Sequence, residues 1–440
     1  PYPAARALSL PVDGALPRSA DGALSLPAAR ALSLSADGPP GMPPMDPDDE
    51  DSLPPFMRPR RYTEEEIIAY NKKWNPYDPL YNDPAYARAH GHPSVPAYPG
   101  FEAMPPIMVV PQFPKDMASR FYYTNDGTDI HYNRNIYAGD LLRETNVRKF
   151  FEERTHPNDE LRRWCMGGEA DKVDESGKVV MHLSGSVREY YRQLLDDSKR
   201  PTFSENQESW TKYAPSGHYT TDADYERMKE IWDQEKIMGD DTPFWEDVPV
   251  GFELPKTCSD GPVTYMHMMY WYDIGDLSIY SREELMDPAM RAVTFRDRYG
   301  AFLDETALHF GNRNINTDGA RGVWYNDTGA RLIARTLTNF VGNKGRVSRF
   351  SWRFFPFFEE LRDWEMCKKQ FMKVPGMEGR DCDRHGSQGD TCIGRAVVTD
   401  KYVNDQGEHC CEVMLWGEDL EGNIVQGCPS EIVLPSKDGI

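Results

Sequence analysis

The sequence predicts an α+β protein made of two successive units, each opening with a helix and continuing as antiparallel strands. Three observations predict it. Thr63 with Glu66 three residues on is a helix-start signal, and strand-like runs follow it between 121 and 187. Ala330, Ile333, Leu337 and Phe340 then keep helical spacing, and Phe350, Trp352 and Phe354 alternate with Ser351 and Arg353 beyond them. The two successions lie about 200 residues apart, so an internal duplication is the simplest account of both.

Residues 1–58 repeat Ala-Ala-Arg-Ala-Leu-Ser-Leu at 4–10 and 28–34, and Ser-Ala-Asp-Gly at 19–22 and 35–38. Too few large side chains are present to offset ordering entropy, so a disordered extension is expected, with Met42 or Met45 as a candidate start. The first unit occupies 59–190. Its helix should stop before Asn75-Pro76, because the residue preceding proline avoids helical backbone. Asp78 to Ala87 follows, then a loop of small residues from His90 to Gly100 and an apolar stretch to Val110. Strands are expected at Ile130–Ile136, around Asn146 to Phe151 and at Val179–Val187, with a turn at Ala138-Gly139-Asp140.

A linker over 191–245 should carry a helix from Asp222 to Met238, with Tyr225, Met228, Ile231 and Trp232 on one face and Gly239 ending it. The second unit covers 246–440. Trp245 to Gly251 leads into Pro262–Trp271, a helical segment from Ser281 to about Arg298, and a bend at Asp304–His309. The helix with the buried stripe runs from Asp327, its N-cap, to Val341. Strands follow at Phe350–Phe354, Ile393–Tyr402, His409–Trp416 and Ile424–Leu434.

Composition narrows the function. Fifty basic residues against 71 acidic ones give a formal charge of −21, which repels phosphate backbones and anionic lipid, so neither nucleic acid nor a membrane surface is an expected partner. No apolar run approaches the roughly 20 residues that span a bilayer. The start lacks the basic and apolar regions of a signal peptide, and a soluble, cytoplasmic protein is expected. The eight cysteines show no pair at the spacing of structural zinc and read as free thiols.

Asp304 and His309 are the candidate catalytic pair. Five residues would place them about 140° apart on a helix and on opposite faces of a strand, so they can share one water only on a bent segment. Asp126 and His131 have the same spacing but read as turn chemistry followed by a strand side chain. His90 and His92 flank Gly91 without further ligands, and no metal is expected.

With these residues laid out, the chain from about 60 to 437 resembles the tandem hot-dog proteins of the MaoC-like dehydratase and enoyl-CoA hydratase family. The family pattern is Asp, any residue, Asn-Pro-Leu-His, any residue, Asp-Pro, then a Tyr- or Phe-Ala ending. Asp304-Glu305-Thr306-Ala307-Leu308-His309 keeps Asp, Leu and His in register, while Gly311-Asn312 replaces Asp-Pro. Asp78-Pro79-Leu80-Tyr81-Asn82-Asp83-Pro84-Ala85-Tyr86-Ala87 keeps the frame, with Tyr81 at the His position and Pro76 at the Asp position. Gly322-Val323-Trp324-Tyr325-Asn326 is similar to the family's Gly-Val-x-His-Gly turn into the central helix, with Tyr325-Asn326 in place of His-Gly. Gly389-Asp390-Thr391, Gly394 to Val398, Gly427 and Leu434-Pro435-Ser436 look like the closing strand landmarks.

The resemblance implies a double hot-dog fold, two antiparallel sheets each wrapped around a central helix, with one working site per chain. It implies a lyase, a hydratase or dehydratase acting on an enoyl-CoA or 3-hydroxyacyl-CoA of fatty or aromatic acid metabolism. Asp304 and His309 would activate the water, and an amide near Asn326, with Tyr325 and Gly322 shaping the turn, would face the thioester oxygen. No cofactor is implied beyond the coenzyme A thioester as substrate, and a homo-oligomer is expected. A hot-dog thioesterase and a non-catalytic acyl-thioester-binding subunit are the alternatives. The charged run Phe357–Gln388 interrupts the family pattern and is expected to cover or reshape the pocket.

Overall fold

The computed structural model describes residues 58–102, 122–153, 161–193, 221–261, 295–296, 302–303, 328–353, 371–380, 382–384, 386 and 390–439. The predicted extension lies outside these residues.

Strand β1 (Arg60–Arg61) leads into helix α1 (Glu64–Trp74), where Thr63 and Glu66 form the expected capping box. Asn75 caps the other end, just ahead of Pro76. The next segment folds as two short helices, α2 (Pro79–Asn82) and α3 (Pro84–Ala89). Both begin with proline at the first helical position and an aspartate N-cap: Asp78 accepts from the Leu80 amide, and Asp83 from those of Ala85 and Tyr86.

Four long strands complete the first half: β2 (Tyr122–Tyr132), β3 (Leu141–Glu153), β4 (Leu161–Val173) and β5 (Val179–Gln193). Two expectations change here. The strand expected at Ile130–Ile136 ends at Tyr132, and β4 had no counterpart in the reading because its apolar residues do not alternate cleanly. Asp126 and Gly127 do not form a turn; they lie within β2, where the register to β5 shifts around Gly127.

Helix α4 (Asp222–Trp232), capped by Thr221, is shorter than expected, since Asp233, Gln234 and Glu235 extend no apolar face. Met228 is buried against Cys258 and Leu420, with Ile231 and Trp232 packed beside it, whereas Tyr225 is exposed. Gly239 belongs to a short 3-10 turn beyond the helix. The second half then contributes β6 (Thr257–Cys258), β7 (Phe295–Arg296), β8 (Phe302–Leu303), helix α5 (Thr328–Val341), β9 (Arg346–Arg353), β10 (Ile393–Val403), β11 (His409–Glu418) and β12 (Ile424–Leu434). Phe295 and Arg296 are strand, where a helix was expected to run on to about Arg298. Residues 262–294, including most of that helix, lie outside the described residues.

The sheets of the two halves meet edge to edge. β2 pairs antiparallel with β9, Ile130 opposite Phe350 and His131 opposite Arg349, so one ten-stranded sheet results, in the order β1-β3-β4-β5-β2-β9-β12-β11-β10-β6. Helix α5 lies on one face of it. Ala330, Ile333, Ala334, Leu337, Phe340 and Val341 are buried there with Ala396, Val398, Val413, Leu415, Cys428 and Ile432. Burying such side chains contributes about 1.5–3 kcal/mol each. Contact is close enough that a Cβ on Gly394 would come within 2.4 Å of Thr336 Oγ1.

Phe371, Val374 and Cys382 pack on Val397, Met414, Trp416 and Ile424. These strand residues alternate with the ones facing α5, so the described part of the 357–388 run covers the opposite face of the sheet, away from the helix. Residues 357–370, the first part of that run, lie outside the described residues, as do the candidate site residues it was expected to cover or reshape.

Candidate functional site

Asp304, His309, Gly322, Tyr325 and Asn326 all lie outside the described residues. The chain around them is described at both ends. β8 stops at Leu303, immediately before Asp304, and α5 starts at Thr328, two positions after Asn326.

The related frame in the first half is described throughout. Tyr81, at the position of the pattern's histidine, is 5% exposed, and its ring meets that of Tyr98 edge-on at 5.9 Å between centroids. Asn71 Nδ2 donates to the Tyr81 carbonyl at 2.6 Å and to the Pro96 carbonyl at 2.9 Å, fixing the frame against the following loop. Burial raises the Tyr81 phenol well above its ordinary pKa, so it cannot supply a base near neutrality. Burial also pushes the Asp78 carboxyl up to about 6, opposed by the hydrogen bond from the Leu80 amide. Where the loop turns, Gly100 has φ +88 and its amide donates to Tyr132 Oη at 2.8 Å, so that donor is already engaged. Burial pushes the Tyr132 phenol up to about 12. Three tyrosines thus occupy the first half's frame and contribute no acid–base pair.

This frame is held by the polar side of α5. Arg331, Arg335, Thr338 and Asn339 interrupt the apolar helix at positions that face α1 and its loop. Asn75 Nδ2 donates to Asn339 Oδ1 at 3.0 Å and to Thr338 Oγ1 at 3.3 Å, and Tyr98 Oη donates to the Arg331 carbonyl at 2.9 Å. Arg331 donates to Tyr70 Oη at 2.7 Å and lies over the Trp74 ring. Arg335, with only 3% of its side chain exposed, donates to both Asp260 carboxylate oxygens at 2.8 and 3.0 Å, to the Trp74 carbonyl at 3.1 Å and to the Cys258 carbonyl at 3.2 Å. One guanidinium therefore ties the end of α1, strand β6 and the central helix together. Sequence reasoning missed this joint, although an arginine beside Ile333 and Leu337 in a buried helix was a signal that a carboxylate had to lie opposite.

The other titratable candidates have structural partners. His131 Nε2 lies 3.4 Å from Asp129, and Asp129 also pairs with Arg349. His90 bonds the Tyr86 carbonyl and Asp240, and His92 bonds Tyr137 Oη and the Asn343 carbonyl. Cys258, Cys382, Cys392, Cys410, Cys411 and Cys428 are free and buried, and burial pushes the Cys258 and Cys410 thiols up to about 12. Among the described residues no group of three or more His, Cys, Asp or Glu is placed to hold a metal ion, and no helix is long and apolar enough to cross a membrane.

No family model and no curated protein matches the sequence. Among solved structures the chain is similar to a MaoC-like dehydratase at 15% identity and TM-score 0.48, over 86% of this chain and 96% of that one. It is similar to a MaoC domain protein dehydratase from Chloroflexus aurantiacus at 12% identity and TM-score 0.43, over 86% and 93%. A conserved hypothetical protein from Mycobacterium tuberculosis with a double hot-dog fold matches at 12% identity and TM-score 0.41, over 86% and 94%.

Proposed function

We propose that the protein is a hydratase or dehydratase of the enoyl-CoA/3-hydroxyacyl-CoA class, with one working site, in the second half. The observation that carries this reading is the division of one motif between two halves. The first-half frame is folded, capped and filled by Tyr81, whereas the second half retains Asp304 and His309 in that register.

In this reading Asp304 and His309 hold a water molecule and draw a proton from it. The hydroxyl adds to the β-carbon of the enoyl thioester, the α-carbon takes up a proton, and an amide near Asn326 donates to the enolate oxygen as charge develops there. Dehydration is the reverse. No cofactor takes part, and the acyl-CoA is the substrate in a cytoplasmic setting. The division into 59–190 and 246–440, joined by 191–245, belongs to the same proposal.

The test uses one panel of acyl-CoA thioesters, with hydration and CoA release followed together. Hydration without CoA release is expected. Folded Asp304→Asn and His309→Ala proteins should each lose about 10²–10⁴-fold in rate, and hydration at the parental rate would refute the assignment. Release of free CoA would establish a thioesterase. The Tyr325-Asn326 replacement favours a third outcome, binding without turnover.

A further inference from the structure

The turn from α1 into α2 buries more oxygen than it has donors to satisfy. Asn82 Nδ2 donates to the Asn75 carbonyl at 2.7 Å and to the Asp78 carbonyl at 2.8 Å, so residues 75, 78 and 82 are wound around one side-chain amide. Both partners can only accept, which fixes the orientation of that amide. Its oxygen, Asn82 Oδ1, is buried beside them and has no hydrogen-bond partner. The same holds for Asn75 Oδ1, on a residue that is 0% exposed. Here too the orientation is set: Asn75 Nδ2 faces Asn339 Oδ1 and Thr338 Oγ1, and the hydroxyl hydrogen of Thr338 goes to the Arg335 carbonyl.

Asp78 is the third member of the group. It is 2% exposed and its Oδ1 accepts from the Leu80 amide. Among the described residues no basic side chain pairs with it, and burial raises its carboxyl with only that amide in opposition. Arg335 reaches the neighbouring Trp74 carbonyl, but its charge is matched by both oxygens of Asp260. A buried carboxylate without a counter-ion is costly. Water could donate to the lone oxygens and would leave the charge uncompensated. A cation answers both needs, because amide and carboxylate oxygens can replace its hydration shell. One carboxylate with two amide oxygens suits a singly charged ion, whereas calcium sites gather several carboxylates and soft metals take His or Cys.

We propose that Asn75, Asp78 and Asn82 form a binding site for an alkali cation. Asn75 also donates to α5, so the bound ion ties the turn after α1 to the central helix. This inference is independent of the enzymatic reading.

Thermal unfolding of the full chain in potassium, sodium or tetramethylammonium chloride at equal ionic strength tests it, since tetramethylammonium screens charge but is too large for such a site. Potassium or sodium should raise the parental Tm by about 2 °C over tetramethylammonium. Asp78→Asn keeps the cap and the volume and removes the charge, so the difference should vanish. Thr63→Ala, which weakens the other end of α1, should retain it; this separates loss of the site from loss of stability. An equal parental Tm in all three salts would overturn the proposal, as would a difference that survives Asp78→Asn. A larger rise in calcium chloride at the same ionic strength would overturn the assignment to a singly charged ion.

Discussion

The two halves of the molecule use one framework in different ways. In the first half the motif frame is rigid: Asp78 and Asp83 cap consecutive helices, Asn71 grips the loop, and Tyr81, Tyr98 and Tyr132 fill the interior. In the second half the corresponding segment keeps an aspartate and a histidine and runs into the helix on which both halves close. A duplicated unit can lose its chemistry while keeping its caps, because caps satisfy backbone donors wherever the helix is retained. The polar side of α5 ties the first-half frame to the second half.

The largest expected effect tests whether the first half could still work. In an Asp304→Asn background, adding Pro76→Asp and Tyr81→His should restore no hydration, because the Gly100 amide is engaged by Tyr132 and the interior is packed. A rate more than about tenfold above that of Asp304→Asn alone would break the comparison.

Next in size is the joint itself. Asp260→Ala leaves the buried Arg335 guanidinium without its carboxylate and should cost about 3–5 kcal/mol in urea unfolding. Arg335→Met should cost less, since Asp260 is 42% exposed and water can solvate its charge. Equal losses would argue against the burial argument.

A third effect is a pH dependence. The folded Asp78 carboxyl, raised to about 6 from 3.8, holds its proton more tightly than in the unfolded chain. Between about pH 4 and 6 the folded state therefore binds more protons, and this group lowers stability as pH rises. Asp78→Asn keeps a good cap and should remove that slope, stabilising the protein by about 2–3 kcal/mol at pH 7. Parallel stability profiles for parent and variant would contradict this. The smallest effect is at the start of α1, where Thr63→Ala should cost about 1 kcal/mol by breaking the capping box.

The sequence by itself determined whatever is local. The box at Thr63 and Glu66, the proline stop after Asn75, the stripe of α5 and the strands β10 to β12 come from caps and periodicity, which act over a few residues, and they appear where expected. The frame of the first-half motif was legible for the same reason. Tertiary structure alone decided that the sheets of the two halves join through β2 and β9, that Asp129 partners His131, and that the described part of the 357–388 run packs behind the sheet. It also decided that Arg335 meets Asp260, 75 positions away in the chain. Such contacts depend on which faces and edges come together on folding, and no period in the sequence encodes that distance.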